Sequence, residues 1–212
     1  MMKSPVLFVV TITMALTACS LRPAPRPPVA LYDLGDERIP ESPTGRLPFV
    51  FVVHEPSAAA WIDTRDMHYR LEYEDASRLR RYAGSRWAIS PLQLVGELLR
   101  QRLAQVAEKG AAVPDYGIEA DYWLRPTIDE FSQVFDSPRS SRGVVALRVV
   151  LLKGRSRSFQ AQKAFRVEIS APTPDAQGGV MALRTASAQA CNAIVSWLAE
   201  ETSIARGSAI ER

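Results

Sequence analysis

The chain has 212 residues, 47% of them hydrophobic and 23% charged, with a formal net charge of +3. That length suits one domain of ordinary size, or at most a small pair, and so balanced a surface lacks the basic footprint of a nucleic-acid-binding protein. Only two histidines and two cysteines are present, with no HxxxH or CxxC spacing, no GxSxG elbow, no Walker loop and no Rossmann glycine fingerprint, so nothing in the motifs points to an enzyme, a metal or a cofactor.

Met1 to Cys19 reads as a lipoprotein signal. Lys3 is the basic n-region, Val6 to Leu16 is apolar apart from Thr11 and Thr13, and Leu16-Thr17-Ala18-Cys19 is a lipobox with the cysteine at the cleavage site. The apolar run is too short to span a bilayer core of about 30 Å as a mature helix. The mature chain is expected to begin at Cys19 carrying acyl chains, each buried methylene contributing about 0.8 kcal/mol to anchoring. Ser20 follows where an inner-membrane retention signal commonly has aspartate, which favours the outer membrane, with the inner membrane as the alternative. With Cys19 lipidated, Cys191 has no disulfide partner and reads as a small buried packer.

Residues 19–31 form a proline-rich tether, Leu21-Arg-Pro-Ala-Pro-Arg-Pro-Pro28, able to reach on the order of 40 Å at roughly 3.1 Å per residue. The folded domain is expected over 32–206, with 207–212 as a tail. Phe49 to Val53 reads as a central strand, Met67 to Glu74 alternates as a half-buried strand, and Arg78 to Tyr82 is a third. Ser90-Pro91 is a strong helix start. Leu92, Val95, Leu99, Leu103 and Val106 recur at helical spacing as far as Lys109-Gly110. Ile118 to Arg125 alternates, Pro126 is expected to break or bulge the strand, and Ile128 to Phe135 continues it. Val144 to Leu152 and Phe159 to Ile169 form a hairpin, and Gly178-Gly179 separates it from a helix carrying Val180, Leu183, Ala190, Ile194 and Trp197. The expectation is an α+β domain: an antiparallel sheet with two helices packed on one face, in the order βββ-α-βββ-α.

Arg65, Arg70, Arg78, Arg80, Arg81 and Arg86, interleaved with Tyr82 and Trp87, form the densest basic cluster. Guanidinium forks match phosphate and carboxylate oxygens, so the cluster suits a partner surface or anionic lipid headgroups. Salt bridges to Glu72, Glu74 and Asp75 along a solvated edge are the equally simple reading. Glu72 and Glu74 are better explained as solvent-face charge than as an acid/base pair.

The lipobox, Tyr32-Asp33-Leu34-Gly35, Arg65-Asp-Met-His-Tyr-Arg70, and Tyr82-Ala-Gly-Ser-Arg-Trp87 running into Ser90-Pro91 together resemble the ABC-type transport auxiliary lipoprotein family. That resemblance implies a non-enzymatic envelope lipoprotein, anchored through Cys19 and facing the periplasm. Its implied partners are an MCE-domain (mammalian cell entry) periplasmic protein and an ABC permease and ATPase that move phospholipid or other apolar molecules, an arrangement compatible with a homo-oligomer. Alternatives are a stand-alone periplasmic lipid carrier and an envelope hydrolase using His54 and His68.

Overall fold

The computed structural model describes residues 28–35, 46–115 and 117–210, with side chains as far as 203. The lipobox, Cys19, most of the tether and the Pro40 to Thr44 stretch lie outside the described residues. The elements in chain order are β1 (Ala30–Tyr32), β2 (Phe51–Val53), β3 (Ser57–Ala58), β4 (Asp66–Leu71), the single turn α1 (Glu72–Asp75), β5 (Ala76–Trp87), α2 (Pro91–Val106), β6 (Ala111–Ala112), β7 (Tyr122–Ser137), β8 (Ser140–Lys153), β9 (Ser158–Ser170) and α3 (Ala176–Ile210). The fold is α+β, as expected. Among the described residues, no helix is long and apolar enough to cross a membrane.

β7 is the spine. One of its edges pairs with β8 along almost its whole length, and β8 pairs with β9, all antiparallel. The other edge is shared in parallel by three short strands, β2 against Tyr122–Leu124, β3 against Thr127–Ile128 and β4 against Gln133–Phe135. β5 then pairs antiparallel with β4, and β1 lies parallel to the last three residues of β5. The sheet is therefore mixed. The parallel contacts arise because α2 intervenes between these strands and β7, carrying the chain back to the end from which it started.

Local chemistry accounts for the departures from the expected boundaries. β4 stops at Leu71 because Glu72 to Asp75 close a helical turn, and β5 extends to Trp87 rather than ending at Tyr82. Pro126 stays within β7, opposite Val149. The Leu124 carbonyl accepts a hydrogen bond from the His54 N–H, so the Pro126 nitrogen, two residues on, faces the same edge. There it meets the gap between β2 and β3, where its missing N–H costs no ladder bond. The bulge falls instead at Asp129, between the Ile128 and Glu130 registers.

Both helices close one face of the sheet. Leu99 and Leu103 of α2, Ile194 and Leu198 of α3, and Val145, Leu147, Val149 and Leu151 of β8 belong to one buried cluster. Each such side chain contributes about 1.5–3 kcal/mol. The Ser90 N–H donates to Gln93 Oε1 at 3.3 Å, closing the first turn of α2. Asp175 caps α3 by accepting from the Gly178 N–H at 2.8 Å. Gly178 and Gly179 are thus the first turn of α3 rather than a separator. A Cβ on Gly178 would stand 2.1 Å from the Thr173 carbonyl oxygen, and one on Gly179 would stand 2.1 Å from Gln133 Oε1.

Candidate functional site

Tyr32-Asp33-Leu34-Gly35 is a turn that locks β1 to the domain. The Gly35 N–H donates to Asp33 Oδ1 at 2.8 Å, Leu34 is buried, and Gly35 has φ +64 with the Arg184 guanidinium against it. A side chain at that glycine would be strained and would displace Arg184.

The basic cluster divides into residues that build the fold and residues that face solvent. Trp87 is 1% exposed and packs edge-on against Phe131 with ring centroids 5.4 Å apart, so it belongs to the core and not to an accessible surface. Arg65 donates from Nε to the Trp87 carbonyl at 3.0 Å, and the Trp87 N–H donates back to the Arg65 carbonyl at 2.8 Å. Tyr82 donates its hydroxyl to Gln133 Oε1 at 2.8 Å, and Gln133 Nε2 donates to Ser141 Oγ at 2.8 Å, a satisfied chain under the start of α3. Burial pushes the Tyr82 phenol up from its ordinary value, so it stays a donor.

The remaining arginines sit on β4 and β5 among carboxylates. Arg70 reaches Glu130 at 3.7 Å and lies 5.5 Å from the Trp61 ring centroid. Arg80 pairs with Glu74, Arg86 with Asp66 at 3.0 Å, and Arg81 with Asp66 at 3.4 Å. Arg78 is exposed, and Arg81 is 68% exposed at its side chain. The accessible part of the predicted surface is therefore Arg78 and Arg81, with Arg80 partly covered. Such exposed pairs contribute little to stability, which leaves their guanidiniums available to a partner.

Sequence reasoning missed a second feature at the opposite end of β7. Adjoining grooves of about 360 to 590 Å³ run from the first turns of α2, past His54 and Trp123, to the β8–β9 hairpin. Trp123 is buried on the sheet face away from the helices, packed with Val52 and Ala120. The Arg157 guanidinium lies 4.1 Å from its ring centroid. His54 lies 5.8 Å from Trp123 between ring centroids. Burial, then Arg125 and Arg157, hold the His54 imidazole below its ordinary pKa of 6.5. His68 sits edge-on to Trp61 at 5.5 Å, far along the sheet on β4, so the two histidines are not brought together. Among the described residues, no group of three or more His, Cys, Asp or Glu is arranged to hold a metal. The sequence signal for the groove was faint: a tryptophan on the solvent-facing phase of an alternating strand.

No curated protein matches the sequence significantly. Among solved structures, a protein from Xanthomonas campestris designated DUF330 superposes with a TM-score of 0.73 at 18% identity, covering 84% of this chain and 99% of that one. A second crystal structure, of an uncharacterized protein, gives 0.57 at 15% identity over 85% and 99%. At these identities the likeness concerns the fold. The family model described as ABC-type transport auxiliary lipoprotein component matches residues 32–195, from the Tyr32 turn to the second half of α3, and the chain belongs to that family.

Proposed function

We propose that this chain is an outer-membrane lipoprotein, anchored through Cys19 and facing the periplasm, that docks on an MCE-type ABC transport system as a non-enzymatic component. Family membership supports the transport role. The observation that carries docking over cargo carriage is the tight seat of α3 on the sheet. A Cβ on Gly143 would come within 2.7 Å of the Leu183 nitrogen, and Leu99, Leu103, Val145, Leu147, Leu151 and Leu198 are fully buried between sheet and helices. A carrier needs a cleft of several hundred Å³ between those layers. The docking surface is assigned to Arg78, Arg80 and Arg81, guanidiniums that suit carboxylates on a periplasmic partner.

The test is crosslinked pull-down and membrane fractionation of the native lipoprotein, Cys19→Ser, and Arg78→Glu with Arg81→Glu. Native protein is expected in the outer membrane with an MCE-domain protein recovered. Cys19→Ser should be soluble, and the double arginine variant should stay anchored but lose the partner. Saturable uptake of labelled phospholipid by the Cys19→Ser protein would instead support a carrier.

A further inference from the structure

The geometry points to a binding site for a small organic oxyanion in the groove between Trp123 and the β8–β9 hairpin, separate from the arginine surface and independent of the docking proposal. Three observations converge there. First, Trp123 is only 6% exposed, and its Nε1 is buried without an acceptor, while His54 Nε2 in the neighbouring groove also has no hydrogen-bond partner. An indole N–H can only donate, so a buried one with no acceptor is a group waiting for an oxygen. Second, Arg157 is held at φ +52, the left-handed region, and is the non-glycine residue adopting it among the described residues. Its N–H donates to the Gly154 carbonyl at 3.2 Å, closing the hairpin so that its guanidinium is delivered over the Trp123 ring. Backbone strain that positions one charged side chain is a feature of ligand sites. Third, Arg125 acts on His54 together with Arg157, placing a second cation next to the groove, whose His54 end also carries Glu55 and Glu97.

The lining defines the ligand. Ile118, Ala120 and Trp123 form an apolar wall in a groove of about 590 Å³, with Arg155 and Arg157 at its rim. Glu119 and Asp115 also line it. Glu119 is neutralised by an ion pair with Arg155, and Asp115 lines the Trp123 and Arg157 end of the groove. A phosphate or carboxylate oxygen at the indole edge, beside the stacked Arg157, supplies the acceptor that Trp123 lacks. It also converts a ring-stacked guanidinium into a charge-assisted hydrogen-bond donor. An apolar substituent on the anion then lies along Ile118 and Ala120.

The test uses the full chain carrying Cys19→Ser and follows the Trp123 indole N–H resonance, assigned with Trp123→Phe, during titration with inorganic phosphate, butyl phosphate and butanol. Saturable movement with both phosphates, tighter for butyl phosphate, is expected at Trp123 and not at Trp61, Trp87 or Trp197. Arg157→Gln, on an exposed turn that the core does not depend on, should weaken binding at least tenfold, and Arg157→Lys should restore part of it. No saturable shift with either phosphate, an equal response to butanol, or unchanged affinity in Arg157→Gln would each overturn the assignment.

Discussion

Replacing Gly143 with alanine tests the seat of α3 more directly than any helix substitution. Gly143 lies on β8 opposite Gln133, on the face that α3 covers. An added Cβ would meet the Leu183 nitrogen at 2.7 Å, the Ala182 carbonyl carbon at 2.8 Å and the Ala182 Cβ at 2.9 Å. Two of those atoms are helix backbone, so no rotamer change relieves the contact and the helix itself has to lift. Overpacking of this kind costs about 1–3 kcal/mol. At about 2 kcal/mol, a domain of this size loses roughly 4 to 8 °C in Tm. Gly84 of β5 is the control, because a Cβ there meets nothing within 4 Å and its φ is ordinary. Gly84→Ala should be neutral or gain up to about 1 kcal/mol by restricting the unfolded chain. Urea titrations of both variants with an unchanged m-value isolate the stability change. If Gly143→Ala unfolds at the same midpoint as Gly84→Ala, the close approach is wrong, and the argument for a closed interior goes with it.

Tyr82→Phe leaves the Oε1 atom of Gln133, a residue 1% exposed, without its hydroxyl donor, and should cost about 1–3 kcal/mol in the same urea assay. Burial pushes the Cys191 thiol up to about 12 from an ordinary value of 9.0, so in the Cys19→Ser protein its labelling at pH 8 should proceed only at the rate of global unfolding. Because the folded value is the higher one, the stability linked to this thiol is complete below pH 9 and is lost as pH rises from there toward 12, visible as a falling alkaline Tm. His54 has the opposite sign. Its folded pKa is lowered, so its contribution is complete above 6.5 and is lost as pH falls, and Arg157→Gln, by removing one of the cations that lower it, should move the imidazole titration upward in an NMR pH series.

The elements with strong periodicity were legible because one residue pattern admits one packing. The leucine stripe of α2 and the β8–β9 hairpin were readable from alternation and turn residues alone. The three short strands on one edge of β7 were not. β2, β3 and β4 contribute only three, two and three paired residues there, too few to show a period, and their parallel sense is fixed by a helix lying between partners. Glycines misled for a related reason. Gly178-Gly179 carries the signature of a linker, yet both are dictated by close approach to Thr173 and Gln133, contacts that no local pattern encodes. Among the basic residues, charge was legible and accessibility was not. Trp87 sits in an arginine-rich stretch but on the strand phase that meets Phe131. Arg102, although charged, is buried on α2.

The length of β7 separates the two surfaces assigned to this domain. The arginines of β4 and β5 lie level with Gln133 to Phe135, and the groove lies at Trp123. Ten residues of strand separate Trp123 from Gln133, roughly 33 Å at about 3.3 Å per residue. β1, where the tether enters, pairs with β5 through Ser85 to Trp87, beside the arginine half of the sheet. Substitutions so far apart, with no shared contacts, should act additively. Arg78→Glu with Arg81→Glu should therefore abolish partner recovery while leaving butyl phosphate binding at Trp123 unchanged, and Arg157→Gln should do the reverse. Loss of both properties in either variant would mean that the two ends of β7 serve a single site, and the separation drawn from the sheet would fail.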